Sequence, residues 1–212
     1  MPARFEEPLN LIIAGVGGQG NITASQVVAQ AALIEGFQAT IGETYGVSQR
    51  GGSVMSHVRI SRSEEVGPLI PRGHAHLLVG FEPLETLQVA LEYGRPGIRI
   101  LCNPRPLYPI GVLAGDSAYP PAGKILKILA KHASPLRIVP ATDLARQTGE
   151  IRSMNLVMMG ALAASGFLPF EKAAYEQALQ ILFEGPAREA NVRAFEAGFL
   201  ALSRPKRNRP RD

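Results

Sequence analysis

Residues 9–20, LNLIIAGVGGQG, pass from an apolar run into four glycines within six residues. Leu9, Leu11, Ile12, Ile13 and Ala14 show no alternation of wet and dry positions, the pattern of a strand covered on both faces in a parallel sheet. Gly15, Gly17, Gly18 and Gly20 follow at once. Residues 21–35 (NITASQVVAQAALIE) then carry Ile22, Val27, Val28, Ala31 and Ile34 at helical spacing. Strand, glycine turn and helix in that order predict a diphosphate cradle. Glycine without Cβ lets the backbone take positive φ and approach a ligand, and the free N–H groups of a first helical turn attract anions. Gly15, Gly17 and Gly20 also fit the dinucleotide spacing G-x-G-x-x-G in its proper context. Glu43, about 20 residues beyond, stands where such a fold has the acid that holds a ribose hydroxyl. A solvated loop acid is the equally good alternative for it.

Outward from this unit the alternation continues. Gly36 ends the first helix and residues 37–42 (FQATIG) read as a second strand. Residues 43–52, ETYGVSQRGG, hold three glycines, an aromatic ring, hydroxyls and an arginine, and differ from an ordinary linker. Residues 53–60 (SVMSHVRI) have period two, with Val54, Ser56, Val58 and Ile60 on one face and Ser53, Met55, His57 and Arg59 on the other. A buried strand at 75–81, a helix opened by Pro83, and a strand at 98–102 follow. The proline- and glycine-rich stretch 103–121 is too long for a simple connection, and reads as a functional loop or an arm onto a partner. A helix at 122–132, a strand at 136–139 and a helix at 141–147 complete an α/β pattern, and from Ser153 onward the chain reads as helix alone.

At 212 residues the chain makes one domain, or one domain with a helical appendage. The formal charge of +4 comes from the last ten residues, SRPKRNRPRD, whose five basic side chains outweigh Asp212; the remainder holds seventeen charges of each sign. Nucleic acid binding would rest on that short tail alone, so no nucleic acid partner is expected. The absence of a long apolar run and of a signal-like N-terminus predicts a cytoplasmic protein with no membrane partner. A single cysteine, Cys102, excludes an internal disulfide and any four-cysteine cluster built from this chain alone; in the strand IRILC it reads as a buried small hydrophobe.

Other chemistry-bearing residues have plainer readings. His74 and His76 lack a third ligand nearby and read as capping or surface groups, and no metal is assigned. His57 reads as a hydrogen-bonded sheet residue, Glu82 and Glu85 as acids of a first helical turn. Met154, Met158 and Met159 fall at helical spacing as core or subunit interface. No catalytic residue stands out.

GVGGQG after the first strand, ETYGVSQRGGSVMSHVRI, PLIPRGHAHLLVGFEPLETL, MNLVMMGAL and ANVRAFEAG together resemble the γ-type domain of 2-oxoacid:ferredoxin oxidoreductases. The likeness is strongest to the indolepyruvate branch, where that domain forms the β subunit. It covers residues 1–202 and leaves 203–212 as a basic disordered tail. It implies a three-layer α/β/α domain with a mostly parallel Rossmann-like sheet and a C-terminal helical segment. It implies no cofactor held by this chain alone: thiamine diphosphate, Mg and iron–sulfur clusters would reside in a larger partner subunit. That subunit would decarboxylate an aryl 2-oxoacid, pass electrons to ferredoxin and form an acyl thioester of coenzyme A. Carried over position by position, the likeness makes Gly15, Gly17, Gly18, Gln19 and Gly20 a phosphate-facing loop. Thr44, Tyr45, Gln49, Arg50, Gly51 and Gly52 become a second wall, with Glu43 at its start. Some pyruvate-specific relatives place lysines where this chain has Ser48, Gln49 and Arg50. Two other readings follow from the residues: a free-standing NAD(P)-binding dehydrogenase, or a non-catalytic nucleotide-binding module that regulates a partner.

Overall fold

The computed structural model describes residues 6–45, 52–63, 65–108, 112 and 118–203, with Tyr45 described in its backbone only. In chain order the elements are β1 (Leu9–Val16), α1 (Asn21–Ile34), β2 (Gln38–Tyr45), β3 (Ser53–Ser61), β4 (Ala75–Gly80), α2 (Pro83–Tyr93) and β5 (Gly94–Cys102). Then come α3 (Ala122–His132), β6 (Leu136–Ile138), α4 (Ala141–Gln147), a 3₁₀ turn (Ile151–Ser153), α5 (Met154–Ser165), α6 (Lys172–Leu182) and α7 (Gly185–Ser203).

The six strands form one sheet in the order β2-β3-β1-β4-β5-β6. β1 pairs in parallel with β4, β4 with β5 and β5 with β6, while β3 runs antiparallel between β1 and β2. Five strands therefore share a direction and β3 alone is reversed. Every residue of β1 is buried, as its near-continuous apolar run requires of a strand with a layer on each side. Leu11, Ile13, Val58, Leu77, Val79 and Leu101 face a layer made by α1 and the helices α4 to α7. Ile12, Ala14, Leu78, Ile98, Ile100 and Cys102 face α2 and α3. The result is the expected three-layer α/β/α arrangement.

Two strands run longer than their composition indicates. β2 continues past Gly42 through Glu43, Thr44 and Tyr45, because the antiparallel register with β3 supplies them with partners at Ser56, Met55 and Val54. β5 begins at Gly94, paired with Ala75 across an irregularity. In α1, Ala24, Val27, Val28, Ala31 and Ala32 are fully buried and bring the helix close to the sheet, whereas Ile22 is 44% exposed at the helix start. Residues 204–212, the basic tail apart from Ser203, lie outside the described residues. Among the described residues, no helix is long and apolar enough to cross a membrane.

The C-terminal helices are held by an unusually close crossing. Met154, Leu156, Val157, Met158 and Met159 are buried in α5, so the helix is wrapped on all sides. Two glycines admit α7 against it. A Cβ on Gly160 would lie 1.8 Å from the Phe195 carbonyl oxygen, and one on Gly198 would lie 1.8 Å from that of Val157. Both obstacles are backbone, which cannot swing aside. Gly198→Ala is therefore expected to destabilise the protein by about 2–3 kcal/mol, lowering Tm by roughly 5–10 °C in scanning calorimetry. Gly123→Ala, where a Cβ meets open space, should leave Tm unchanged or slightly higher.

Candidate functional site

The parallel strands β1, β4 and β5 end at one edge of the sheet, and their exits are tied together there. The Phe81 N–H donates to the Ala14 carbonyl at 2.8 Å, and the Asn103 N–H donates to that of Gly80 at 2.9 Å. The Asn103 side-chain amide donates to the Phe81 carbonyl at 3.0 Å and to Thr142 Oγ1 at 2.9 Å. The open edge beyond the strand ends is where ligands of doubly wound sheets bind.

The glycine loop crosses this edge, and its glycines serve different purposes. Gly18 and Gly20 have φ of +99° and +82°, the left-handed region that favours glycine. A Cβ on Gly18 would meet nothing within 4 Å, so that residue faces open space. On Gly20 it would lie 2.4 Å from Asn155 Nδ2, whose amide donates to the Gly20 carbonyl at 3.2 Å. Gly15 is required for packing: its Cβ would come within 2.7 Å of Gln19 Oε1. The Gln19 side chain works inside the loop, accepting from the Val16 N–H at 2.7 Å and donating to the Phe81 carbonyl at 3.4 Å. Asn21 clamps the helix start through bonds of 3.3 Å from Nδ2 to the carbonyls of Ile13 and Val54. Asn21 and Asn155 were not singled out by sequence reasoning; an Asn directly after the last loop glycine was the available signal.

The loop and the second glycine segment meet. The Gly17 N–H donates to the Gly52 carbonyl at 2.9 Å. Of the remaining second-wall residues, Glu43 accepts from Ser56 Oγ at 2.7 Å and from Ser25 Oγ at 3.2 Å, under helix α1. Thr44 Oγ1 lies 3.3 Å from His57 Nε2 and donates to the Met55 carbonyl at 3.4 Å. Both side chains are thus engaged within the sheet. Glu43 is also separated from β1 by β3, so it does not end the strand beside β1, where a ribose acid belongs. Tyr45 is placed by its backbone at the end of β2. Gln49, Arg50 and Gly51 lie outside the described residues.

Three clefts among the described residues meet at Gly18, and Gly20 lines two of them. One of about 370 Å³ runs along the start of α1 beside Gly17, Ile22, Thr23 and Val54. The first turn of α1 holds no acidic residue and has no side-chain cap, so its N–H groups present an uncompensated positive end. A second cleft, about 420 Å³, lies between Thr23, the 3₁₀ turn, Asn155 and Phe183. The third, about 370 Å³, brings together Arg105, Thr142, Arg146 and Arg152 against Gly18 and Gln19. Arg105 is far in sequence from Arg146 and Arg152, and the three carried no recognisable motif.

Several other titratable groups are taken up by the fold. Burial pushes the Cys102 thiol up to about 12, and the thiol stays a neutral hydrophobe. Glu82 caps α2, its carboxylate accepting from the Glu85 N–H and, at 2.6 Å, from the Tyr119 hydroxyl. His76 accepts from the Asn10 N–H at 3.0 Å and lies 3.0 Å from Glu6; His74 Nδ1 lies 2.7 Å from the Arg72 carbonyl. Among the described residues, no group of three or more His, Cys, Asp or Glu is arranged to hold a metal ion.

The sequence profile of the pyruvate ferredoxin/flavodoxin oxidoreductases matches residues 10–201. The indolepyruvate oxidoreductase subunit IorB of Thermococcus kodakarensis is 34% identical over 193 residues, which are 91% of this chain and 95% of that one. Among solved structures, the γ subunit of a keto/oxoacid ferredoxin oxidoreductase from Geobacter sulfurreducens shares the fold with a TM-score of 0.64 at 24% identity, covering 92% of this chain and 98% of that one. A 2-oxoglutarate:ferredoxin oxidoreductase from Magnetococcus marinus, solved with 2-oxoglutarate, coenzyme A and succinyl-CoA bound, gives a TM-score of 0.68 at 19% identity. That match covers 93% of this chain and 31% of the longer one.

His57, in the interior strand β3, yields a pH test of the sheet. It accepts from the Ile70 N–H at 3.3 Å, stacks edge-on to Tyr93 at 5.5 Å, and burial lowers its pKa from 6.5. The folded state therefore binds fewer protons than the unfolded chain just below that value, and stability falls as pH drops through it. His76 is lowered also, chiefly by burial, so the comparison must be with a variant. Tm of His57→Gln should fall less steeply than that of the wild type between pH 7 and 5.5; equal slopes would mean that His57 takes up its proton as readily in the fold as in the unfolded chain.

Proposed function

Because the chain belongs to the pyruvate ferredoxin/flavodoxin oxidoreductase family, we propose that it is the cofactor-free subunit of an indolepyruvate-type complex and forms the coenzyme A wall of its active site. The observation that carries this is the bond from the Gly17 N–H to the Gly52 carbonyl. It joins two glycine segments around the uncapped, acid-free start of α1. Such a surface suits a diphosphate, since backbone N–H groups and the helix end supply positive potential without bulky side chains. Gln19, Asn21 and Asn155 hold the loop in place before the ligand arrives, so less ordering is lost on binding. Gln49, Arg50 and Gly51 would extend the second wall.

In this reading the larger subunit holds thiamine diphosphate with Mg and the iron–sulfur clusters; these supply decarboxylation of the aryl 2-oxoacid and electron transfer to ferredoxin. This chain's part is to bind and orient the coenzyme so that its thiol reaches the partner's acyl group, and to exclude water from the junction. A free-standing NAD(P) dehydrogenase is disfavoured by Glu43, which is held by Ser25 and Ser56 and lies two strands from β1. The whole complex is soluble in this reading, with indolepyruvate, ferredoxin and coenzyme A as its small and protein partners.

Ile22→Asp tests the cradle, because Ile22 is exposed and lines the cleft at the start of α1. An acid there complements the helix end and should leave Tm unchanged or slightly raised, while it repels a diphosphate. In the complex purified with its accompanying subunits, indolepyruvate-dependent ferredoxin reduction should show KM for coenzyme A raised by about tenfold or more. Turnover at saturating coenzyme should change little. An unmoved KM would overturn the assignment of the cradle to this chain.

A further inference from the structure

Helix α1 carries no charged residue between Asn21 and Ile34. A helix without a charged face has the pattern of one covered on every side, yet α1 leaves one side open. Ala24, Val27, Val28, Ala31 and Ala32 are fully buried. Gln26 and Leu33 are exposed and Gln30 is half-buried, along one stripe at i, i+4 and i+7. Helix α6 lies against α1 in the opposite sense. The Glu171 N–H, just ahead of α6, donates to Glu35 Oε1 at the end of α1 at 2.8 Å, and Thr23 at the start of α1 shares a cleft with Phe183 just past the end of α6. The outward residues Gln177, Gln180 and Ile181 of α6 are again uncharged. Its two charged side chains turn toward α7, where Lys172 pairs with Glu176 and Glu196 and lies 4.9 Å from the Phe199 ring centroid. Leu33 and Ile181 are 53% and 61% exposed. Other surface helices differ: α3 exposes Lys124, Lys127 and Lys131, and α7 exposes Arg188, Glu189 and Arg193.

We infer that this face of α1 and α6 docks a second copy of the same chain across a two-fold axis. In such a contact each face meets its own chemistry. A stripe of one charge would repel itself, whereas glutamine, with donor and acceptor on one amide, complements itself. A contact with an unlike protein has its register fixed by opposite charges, and between its ends this face offers none. Leu33 and Ile181 supply apolar anchors, and the four glutamines supply a polar surround that pairs with its own copy. Two short helices bury too little surface for a permanent dimer, so the contact of the free chain is reversible. The inference does not depend on the coenzyme reading: α1 borders the cradle with its first turn and meets the second copy with its later turns.

The test gives the neutral face one sign or the other. Gln30→Glu with Gln177→Glu, and Gln30→Lys with Gln177→Lys, exchange one good helix former for another at an exposed and a half-buried position, so Tm should change little. Sedimentation equilibrium of the full chain, carried to about 1 mM so that even a millimolar contact registers, should show the wild type in monomer–dimer exchange. Each double variant alone should associate about tenfold or more weakly, because like charges then face each other. An equimolar mixture of the two double variants should dimerise at least as tightly as the wild type. A wild-type chain that stays monomeric overturns the inference, as do double variants that dimerise like the wild type or a mixture that stays monomeric. It falls equally if either double variant, in the complex, sheds the accompanying subunit, because the face would then belong to that subunit.

Discussion

The structure depends on the satisfaction of β1's backbone on both edges in a dry interior. Each N–H and C=O of a strand buried on both faces must find a protein partner, since no water reaches it. β3 on one side and β4 on the other supply them through Val16 and Ala14 respectively. Beyond Val16 the ladder stops, and the chain must turn while still surrounded by protein. Gln19 resolves this by bonding the Val16 N–H and the Phe81 carbonyl itself, and Asn21 bonds the Ile13 and Val54 carbonyls. The glycines are what remains when a tight turn has its polar groups satisfied from within and still presents open backbone outward.

This division explains why one loop can be rigid and receptive together. Its inner side is filled by side-chain amides that replace missing ladder partners. Its outer side, at Gly18, has no atom near the place of a Cβ, and leads into three clefts. The reversed strand β3 matters for the same reason. It brings Gly52 to Gly17, whose N–H donates to the Gly52 carbonyl. It also moves β2, and Glu43 with it, away from the position that serves a ribose in dinucleotide folds.

Much of this was legible beforehand. The near-continuous apolar run at 9–14, interrupted by Asn10 alone, marks a central strand, because only a strand with both faces dry can dispense with alternation. The glycine spacing marks the turn, and α3 and α4 appear at the residues their apolar spacing indicates. The sequence pattern ends β2 three residues short because Gly42 and Glu43 have poor strand character; cross-strand pairing to Ser56 and Met55 holds Glu43 and Thr44 extended. Gln19 read as a ligand-facing residue, yet its side chain is spent on the loop, a fact that depends on the distance to Phe81, 62 positions away.

The sequence by itself determined the layer architecture, the place of the glycine turn and the family, since periodicity, glycine spacing and ordered motifs are local properties of the chain. Only the tertiary structure decided which groups surround that turn. Arg105, Arg146 and Arg152 have no shared spacing and become neighbours because β5, α4 and the 3₁₀ turn end at one edge of the sheet. The closeness of α5 and α7 likewise rests on two glycines in different helices, each meaningful only against the carbonyl it faces. Such juxtapositions are set by packing between distant segments, which no local pattern encodes.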